Sequence, residues 1–202
     1  MIDYIGGTFR KRGGFIVYNY DNPTAIVEID LLKLVKQSIW LTIGSLIALF
    51  GIHFIVNAPF HFAFSFRSIL KTTTLFSIGY VALIVLHEFF HLLGFRLFAQ
   101  APWHSMKVGV DLKQGIAYAT TDRFMTNAAV RKALLLPFWL TGIVPAILAI
   151  LINSTTLLVL AAFLIGGAAG DFAMYRQLKR FPNHWLIKDD PKMPKLYVYK
   201  TK

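Results

Sequence analysis

Four long apolar runs limit what this chain can fold into. They cover residues 38–57, 74–95, 133–152 and 156–175, and each has about the 20 residues that a bilayer-crossing helix needs. Lipid offers the backbone no hydrogen bonds, so such runs must form helices. Hydrophobic residues make up 56% of the 202 residues and charged residues only 15%. The sequence therefore predicts an all-α polytopic membrane protein, with four transmembrane helices and small cytoplasmic β-hairpins.

The basic residues are distributed unevenly around these runs. Residues 1–37 contain five lysines and arginines, residues 96–132 contain six and residues 176–202 contain eight, so 19 of 21 fall on one side of a four-helix topology. The positive-inside rule makes that side cytoplasmic and predicts a multi-pass cell-membrane protein with both termini inside. Because topology accounts for the net charge of +11, we expect the lipid bilayer as a partner and no nucleic acid.

The second run contains the motif His87-Glu88-Phe89-Phe90-His91. With two glutamates and six histidines in the chain, an H-E-x-x-H pattern is expected by chance only about 0.002 times. On a helix, His87 and His91 lie one turn apart on one face and can bind one Zn²⁺, with Glu88 beside them. Cysteine is absent, so any metal must be held by His, Asp or Glu. The alternative is that both histidines only pack against other helices.

A third metal ligand is predicted in the fourth run. Asp171 is its only acidic residue and lies five residues before Arg176, as His91 lies five before Arg96. The second and fourth helices run in the same direction, so both groups should lie about 7–8 Å inside their helix ends. Small residues at positions 166–170 would let the helix approach a neighbour closely. The alternative for Asp171 is an ion pair with Arg176 or contact with interfacial water.

The chain divides into three predicted parts. Residues 1–37 form a cytoplasmic segment with an interfacial helix and a hairpin made of residues 15–20 and 25–29. Residues 38–175 form the membrane core and residues 176–202 a cytoplasmic tail.

A second hairpin is predicted inside the core, in the loop of residues 96–132. Residues 102–121 alternate with a period of two, interrupted at Lys113-Gln114-Gly115. A strand edge there is suited to hold an extended peptide by strand addition, because a helical substrate hides its carbonyls. The alternative is a hairpin that only packs on the membrane surface.

These motifs resemble known families. An H-E-x-x-H motif with a distal aspartate resembles the site-2 protease class of intramembrane zinc metalloproteases. Residues 86–95, 127–137, 170–171 and 188–191 resemble a bacterial family catalogued as a domain of unknown function and described as putative zincin peptidases. The resemblance implies His87, His91 and Asp171 as zinc ligands and Glu88 as the acid/base. Phe172 follows Asp171 where site-2 proteases usually have glycine.

The expected function is hydrolysis of membrane-anchored proteins or peptides near the cytoplasmic face. Zinc-activated water would attack the peptide bond, with Glu88 as acid/base. We expect Asn127 and His104 to contact the substrate. The alternatives are a non-catalytic zinc-binding membrane scaffold, a regulatory pseudoprotease and a metal transporter. The intact Glu88 disfavours the first two, and the lack of a polar stripe toward the outer face disfavours the third.

Overall fold

The computed structural model describes residues 3–5, 8–11, 14–17, 22–57, 65–111, 116–190 and 193–201. Among these residues, four helices are long and apolar enough to cross a membrane: α1 (Leu31–Asn57), α2 (Phe66–Phe98), α3 (Asn127–Leu151) and α4 (Thr155–Leu178). Each covers its predicted run to within one residue. The mostly helical architecture is thus confirmed.

Polar caps, and not hydropathy, set where these helices begin. The Ser65 hydroxyl accepts a hydrogen bond from the N–H of Ser68 at the start of α2, and the Thr126 hydroxyl accepts one from Ala129 at the start of α3. Ser154 caps α4 in the same way. Such caps satisfy N–H groups that have no partner inside the helix. Helices α2, α3 and α4 therefore each begin at a polar capping residue, before the start of the apolar run predicted for them.

The outer surfaces of the helices are apolar. Ile55 of α1 is 82% exposed and Leu151 of α3 is 73% exposed, whereas Leu158 and Ala161 of α4 are fully buried. A soluble protein rarely leaves so much large apolar surface uncovered. The surface suits contact with lipid, and α4 supplies much of the buried packing between the helices.

Small residues bring the helices close together. A Cβ atom on Gly166 would collide with the Thr42 hydroxyl of α1, and the Ser38 hydroxyl donates to the Gly166 carbonyl at 2.9 Å. The predicted close approach by the small residues of α4 is therefore present, and at Gly166 the neighbour is α1. A Cβ on Gly142 of α3 would lie 2.9 Å from Ile165 of α4.

Two of the helices are irregular. Helix α3 is α-helical over Asn127–Pro137, widens to a π-helix over Phe138–Ile143, and returns to α-helix over Val144–Leu151. Helix α4 is interrupted at Ala168, which separates Thr155–Gly167 from Ala169–Leu178. Both irregular places lie close in sequence to groups of the candidate site, as π-bulges often do.

The strands form three antiparallel sheets. The first consists of β1 (Asp3–Ile5), β2 (Thr8–Lys11) and β3 (Gly14–Val17) in that order. The second has the order β4-β9-β8-β7, from β4 (Ala25–Glu28), β7 (Met125–Thr126), β8 (Leu186–Asp189) and β9 (Lys195–Tyr199). The third is the hairpin of β5 (Met106–Asp111) and β6 (Ile116–Thr121). The hairpin predicted for residues 102–121 is thus confirmed.

The other predicted hairpin, made of residues 15–20 and 25–29, is not tested by the described residues. Strand β3 pairs with β2, and β4 pairs with β9 at the far end of the chain. Residues 18–21, which include the end of the first predicted strand and the start of the predicted turn, lie outside the described residues. Both strands have suitable alternation, but pairing depends on the partner edge that tertiary packing brings near.

The four-stranded sheet joins segments that are distant in sequence. Buried residues of the sheet, including Val27, Ile187 and Val198, pack in one apolar cluster with Phe95 of α2 and Leu178 of α4. Strand β4, the loop before α3 and the tail are therefore parts of one folded unit at this end of the helices. Such burial of apolar surface is the main stabilising contribution to a sheet of this size.

Asn127 should stabilise this junction. Its side-chain amide donates to the carbonyls of Leu178, Phe181 and Pro182 at 2.8–3.1 Å. Replacing it with Ala would leave buried carbonyls without their donor, so Asn127→Ala should lower the unfolding free energy by on the order of 2–3 kcal/mol. Thermal unfolding in detergent measures this effect.

The matched control is Asn183→Ala, which removes an exposed asparagine side chain. Equal unfolding temperatures for the two variants would contradict the structural role. If Asn127→Ala instead raised KM at unchanged stability, the residue would belong to substrate binding.

Candidate metal centre

Helix α2 brings the three residues of the motif together. His87, Glu88 and His91 are 8%, 9% and 7% exposed, so all three are buried. Each offers a ligand atom within 4.8 Å of the others, and the imidazole centroids are 5.0 Å apart. The spacing of four residues puts the two rings on the same face of the helix. The motif thus forms a compact buried cluster.

Asp171 of α4 lies against both histidines. One carboxylate oxygen is 3.1 Å from Nε2 of His87, and the other is 3.2 Å from Nε2 of His91. The common level predicted for Asp171 and His91 is therefore present in the structure. The carboxylate contacts both imidazoles, so the three side chains form a single site.

The Nδ1 atoms of both imidazoles, which are not the nitrogens that face Asp171, are hydrogen-bonded to α3. Nδ1 of His91 lies 3.3 Å from the carbonyl of Ala133, and Nδ1 of His87 lies 3.2 Å from the hydroxyl of Thr141. A carbonyl only accepts, so His91 donates from Nδ1. The Thr141 hydroxyl donates to the carbonyl of Pro137 at 2.9 Å, so its oxygen accepts from His87. These partners assign a proton to Nδ1 of both rings, so that Nε2 is the nitrogen of each ring that faces Asp171.

The sequence of α3 explains why these acceptors are available. Proline has no N–H, so Pro137 cannot bond to the carbonyl four residues earlier, which is that of Ala133. His91 supplies the missing donor. A Cβ on Gly94 would lie 2.8 Å from the backbone of Ala133, so only glycine allows α2 and α3 to come this close. The π segment contains Thr141.

The inner face of the site suits a cation. Two Nε2 lone pairs that face a carboxylate repel it unless protons or a metal ion lie between them. Two imidazoles and a carboxylate are ligands that zinc prefers. Ligands at about 2.0–2.2 Å from a tetrahedral zinc lie roughly 3.3–3.6 Å from one another, close to the observed 3.1 and 3.2 Å. The residues present therefore fit zinc.

Glu88 is adjacent to this site and differs from its neighbours. Among the described residues, its carboxylate has no hydrogen-bond partner, although only 9% of the residue is exposed. A buried carboxylate without such partners costs free energy. Glu88 is thus available to a water molecule or a substrate atom next to the two histidines.

The two predicted substrate contacts lie elsewhere. Asn127 is fully buried, and its amide is used by the carbonyls at the end of α4. His104 is exposed in a short 3₁₀ turn, where its Nε2 accepts from the Arg123 guanidinium at 3.4 Å. The structure does not bring either residue into the cluster, and for His104 the substrate role stays a prediction.

Two residues near the site were missed. Thr141 is the only hydroxyl in the apolar run of residues 133–152, and its position four residues after a proline was a usable signal. Asp189 on β8 interacts electrostatically with His91 and hydrogen-bonds with Thr120 of the hairpin. Burial raises the pKa of Asp189 to about 7, and the bond with Thr120 opposes this rise. Asp189 lies in the stretch 188–191 that carries the family resemblance, but strand pairing places it near His91.

Together, the fold and the site define a helical protein with a candidate metal centre built on an H-E-x-x-H motif. Residues 80–186 match the family described as putative zincin peptidase, and this match covers more than half of the chain. The chain therefore belongs to that family, which supports a zinc metallopeptidase as the class of activity. No curated protein and no solved structure matches the chain.

Thr141→Val should weaken zinc binding. Valine keeps the shape of threonine but removes the acceptor that orients His87, and losses of this kind typically cost about 10–100-fold in metal affinity. Competition with a chelator of known affinity measures the change in purified protein. Thr141→Ser keeps the hydroxyl and serves as the matched control. Unchanged affinity in the valine variant would show that His87 does not need this partner.

Proposed function

We propose that the protein is an intramembrane zinc metalloprotease that cuts membrane-anchored proteins near the cytoplasmic face. One observation carries the proposal: His87, His91 and Asp171 converge on a single buried point, and Glu88 lies beside it without a hydrogen-bond partner among the described residues. A purely structural zinc site closes its coordination sphere and has no need of such a carboxylate.

The proposed membrane position follows from the charges and the exposed surface. Helices α1 to α4 cross the bilayer with both termini cytoplasmic, because 19 of the 21 basic residues then lie inside. His91 and Asp171 are each five residues from a basic residue at the cytoplasmic end of their helix. The site thus lies about 7–8 Å inside those ends, within reach of a substrate from the cytoplasmic side.

The chain's own residues perform the proton transfers. When bound to His87, His91 and Asp171, zinc supplies Lewis acidity that makes a water molecule more acidic and polarises a carbonyl. Glu88 accepts the proton of the attacking water and delivers it to the leaving amine nitrogen, so that one peptide bond and one water become a carboxylic acid and an amine. Thr141 and Ala133 keep the two imidazoles oriented during these steps.

The hairpin is the proposed substrate platform. Strand β5 pairs only with β6 among the described residues, so its other edge can accept an additional strand. Val108 and Val110 on β5 are exposed, and β6 packs against α2. Thr120 of β6 also contacts Asp189, which interacts with His91. An unwound substrate held along β5 would therefore lie near the metal centre.

Glu88→Gln should abolish cleavage while retaining zinc. The amide keeps the size of the side chain but cannot accept the proton, so we expect a loss of at least about 10²-fold in rate. Metal analysis of detergent-purified protein should find about one zinc per chain in both forms. Comparison of membrane proteomes from cells with wild-type or Glu88→Gln protein identifies fragments that only the wild type produces.

Equal fragment patterns would end this proposal. If both forms bind zinc and neither cleaves any membrane protein, the non-catalytic scaffold is the better description. Asp171→Ala serves as the companion variant, since it should lose both zinc and cleavage.

Substitution of Val108 and Val110 together by serine should raise KM for an identified substrate. Each valine offers about 1–2 kcal/mol of apolar contact, so the expected increase is about tenfold or more, with zinc content unchanged. The control replaces Ile26 with serine, because it is exposed on β4, at the edge of the four-stranded sheet. A KM equal to that of the control would favour a hairpin that only packs on the membrane.

A further inference from the structure

A cleft lies between α1 and α4, at the ends that carry basic residues. Its volume is about 760 Å³. Lys36 and Trp40 line it from α1, and Phe172, Tyr175, Arg176 and Lys179 line it from α4. The four residues of the candidate metal centre, His87, Glu88, His91 and Asp171, are not among those that line this cleft. It is thus a second candidate binding site on the same protein.

The charge of the cleft is entirely positive. Lys36, Arg176 and Lys179 line it, and none of its described lining residues is acidic. None of these three forms an ion pair with another described residue, and all three are exposed. Three cations that face one space without a carboxylate repel one another unless an anion neutralises them. The cleft therefore fits an anionic ligand.

Its aromatic lining indicates a membrane interface. Trp40 is exposed and Tyr175 is partly exposed at the mouth of the cleft. Tryptophan and tyrosine are enriched at the headgroup level of bilayers, where one part of the ring meets lipid and the other meets water. The anion expected here lies at headgroup depth.

An apolar surface continues from the cleft along α1. Lys36, Trp40, Ile43 and Ile47 recur at helical spacing on one side of α1, and both isoleucines are exposed. A ligand with a charged head and a long apolar tail matches this order of residues. A free phosphate ion would use only the charged part.

We propose that this cleft binds the phosphate headgroup of an anionic phospholipid, with an acyl chain along α1. The inference rests on the proposed membrane insertion of the helices, and it does not depend on proteolysis. Basic pockets between helices on the cytoplasmic side commonly bind acidic headgroups. The cleft is built on the helical turn that carries Asp171, since Phe172 lines it and also contacts the Phe138 ring at 4.9 Å.

Native mass spectrometry of the detergent-solubilised full chain tests the proposal. The probes are phosphatidylglycerol and phosphatidylcholine with the same acyl chains, each with and without millimolar inorganic phosphate. Wild-type protein should bind phosphatidylglycerol at least about tenfold more tightly than phosphatidylcholine, and phosphate should not displace the lipid. Changing Lys36, Arg176 and Lys179 together to Gln should remove this preference.

The matched control changes Lys33, Arg96 and Arg180 to Gln, which removes three exposed charges near the ends of α1, α2 and α4 but outside the cleft. It should keep the preference for phosphatidylglycerol. Thermal unfolding and zinc content of both triple variants show that each is folded, and Lys179→Gln alone should give an intermediate affinity.

Three results would overturn the proposal. They are equal loss in both triple variants, equal binding of the two lipids by the wild type, and displacement of the lipid by inorganic phosphate, which would assign the cleft to free phosphate. Lipid binding is measured without any cleavage. An inactive protein that passes this test would reject only the protease, and an active protein that fails it would reject only the lipid site.

Discussion

The contact between α2 and α3 at Gly94 and Ala133 is the interaction on which the metal centre depends. It brings the His91 ring to the one carbonyl that Pro137 cannot satisfy, at 3.3 Å. Because Nδ1 of His91 is used in this hydrogen bond, Nε2 is the nitrogen that faces Asp171. A proline that disrupts regular helix geometry in α3 therefore also determines the tautomer of a histidine in α2.

The same principle applies to His87 and extends to α4. Thr141 lies in the π segment and donates to Pro137, so its oxygen can accept from His87. The break at Ala168 occurs three residues before Asp171. Each irregularity of the backbone thus lies next to a group of the site. Such irregular backbone is costly in an apolar environment and persists where neighbouring groups satisfy it.

The strands add a second layer to the site. Strands β7, β8 and β9 come from two separate parts of the chain, and β9 pairs with β4 from a third. This sheet packs on the ends of α2 and α4 through one apolar cluster, and it places Asp189 near His91 and the hairpin. The metal centre is therefore enclosed by helices on one side and supported by strands at the end where the substrate is proposed to enter.

Much of this could be predicted from local patterns, and some could not. The helices and the hairpin of β5 and β6 depend on residues close in sequence, and their periodicity is strong. The pairing of β4 with β9 was missed because edge strands with similar alternation do not encode their partners. Asn127 looked like a polar group available to a substrate, but the turn after α4 folds back over it.

The sequence by itself determined the four helices, their apolar surfaces and the pairing of His87 with His91 on one face, because these follow from spacing within a single run. It also indicated the level of Asp171 through the basic residues that end α2 and α4. Only the tertiary structure decided which groups orient the imidazoles and what lies beside them. Ala133 and Thr141 each accept one hydrogen bond from a histidine on another element, and Asp189 acts on His91 only through its charge, so none of the three leaves a periodic pattern in the chain.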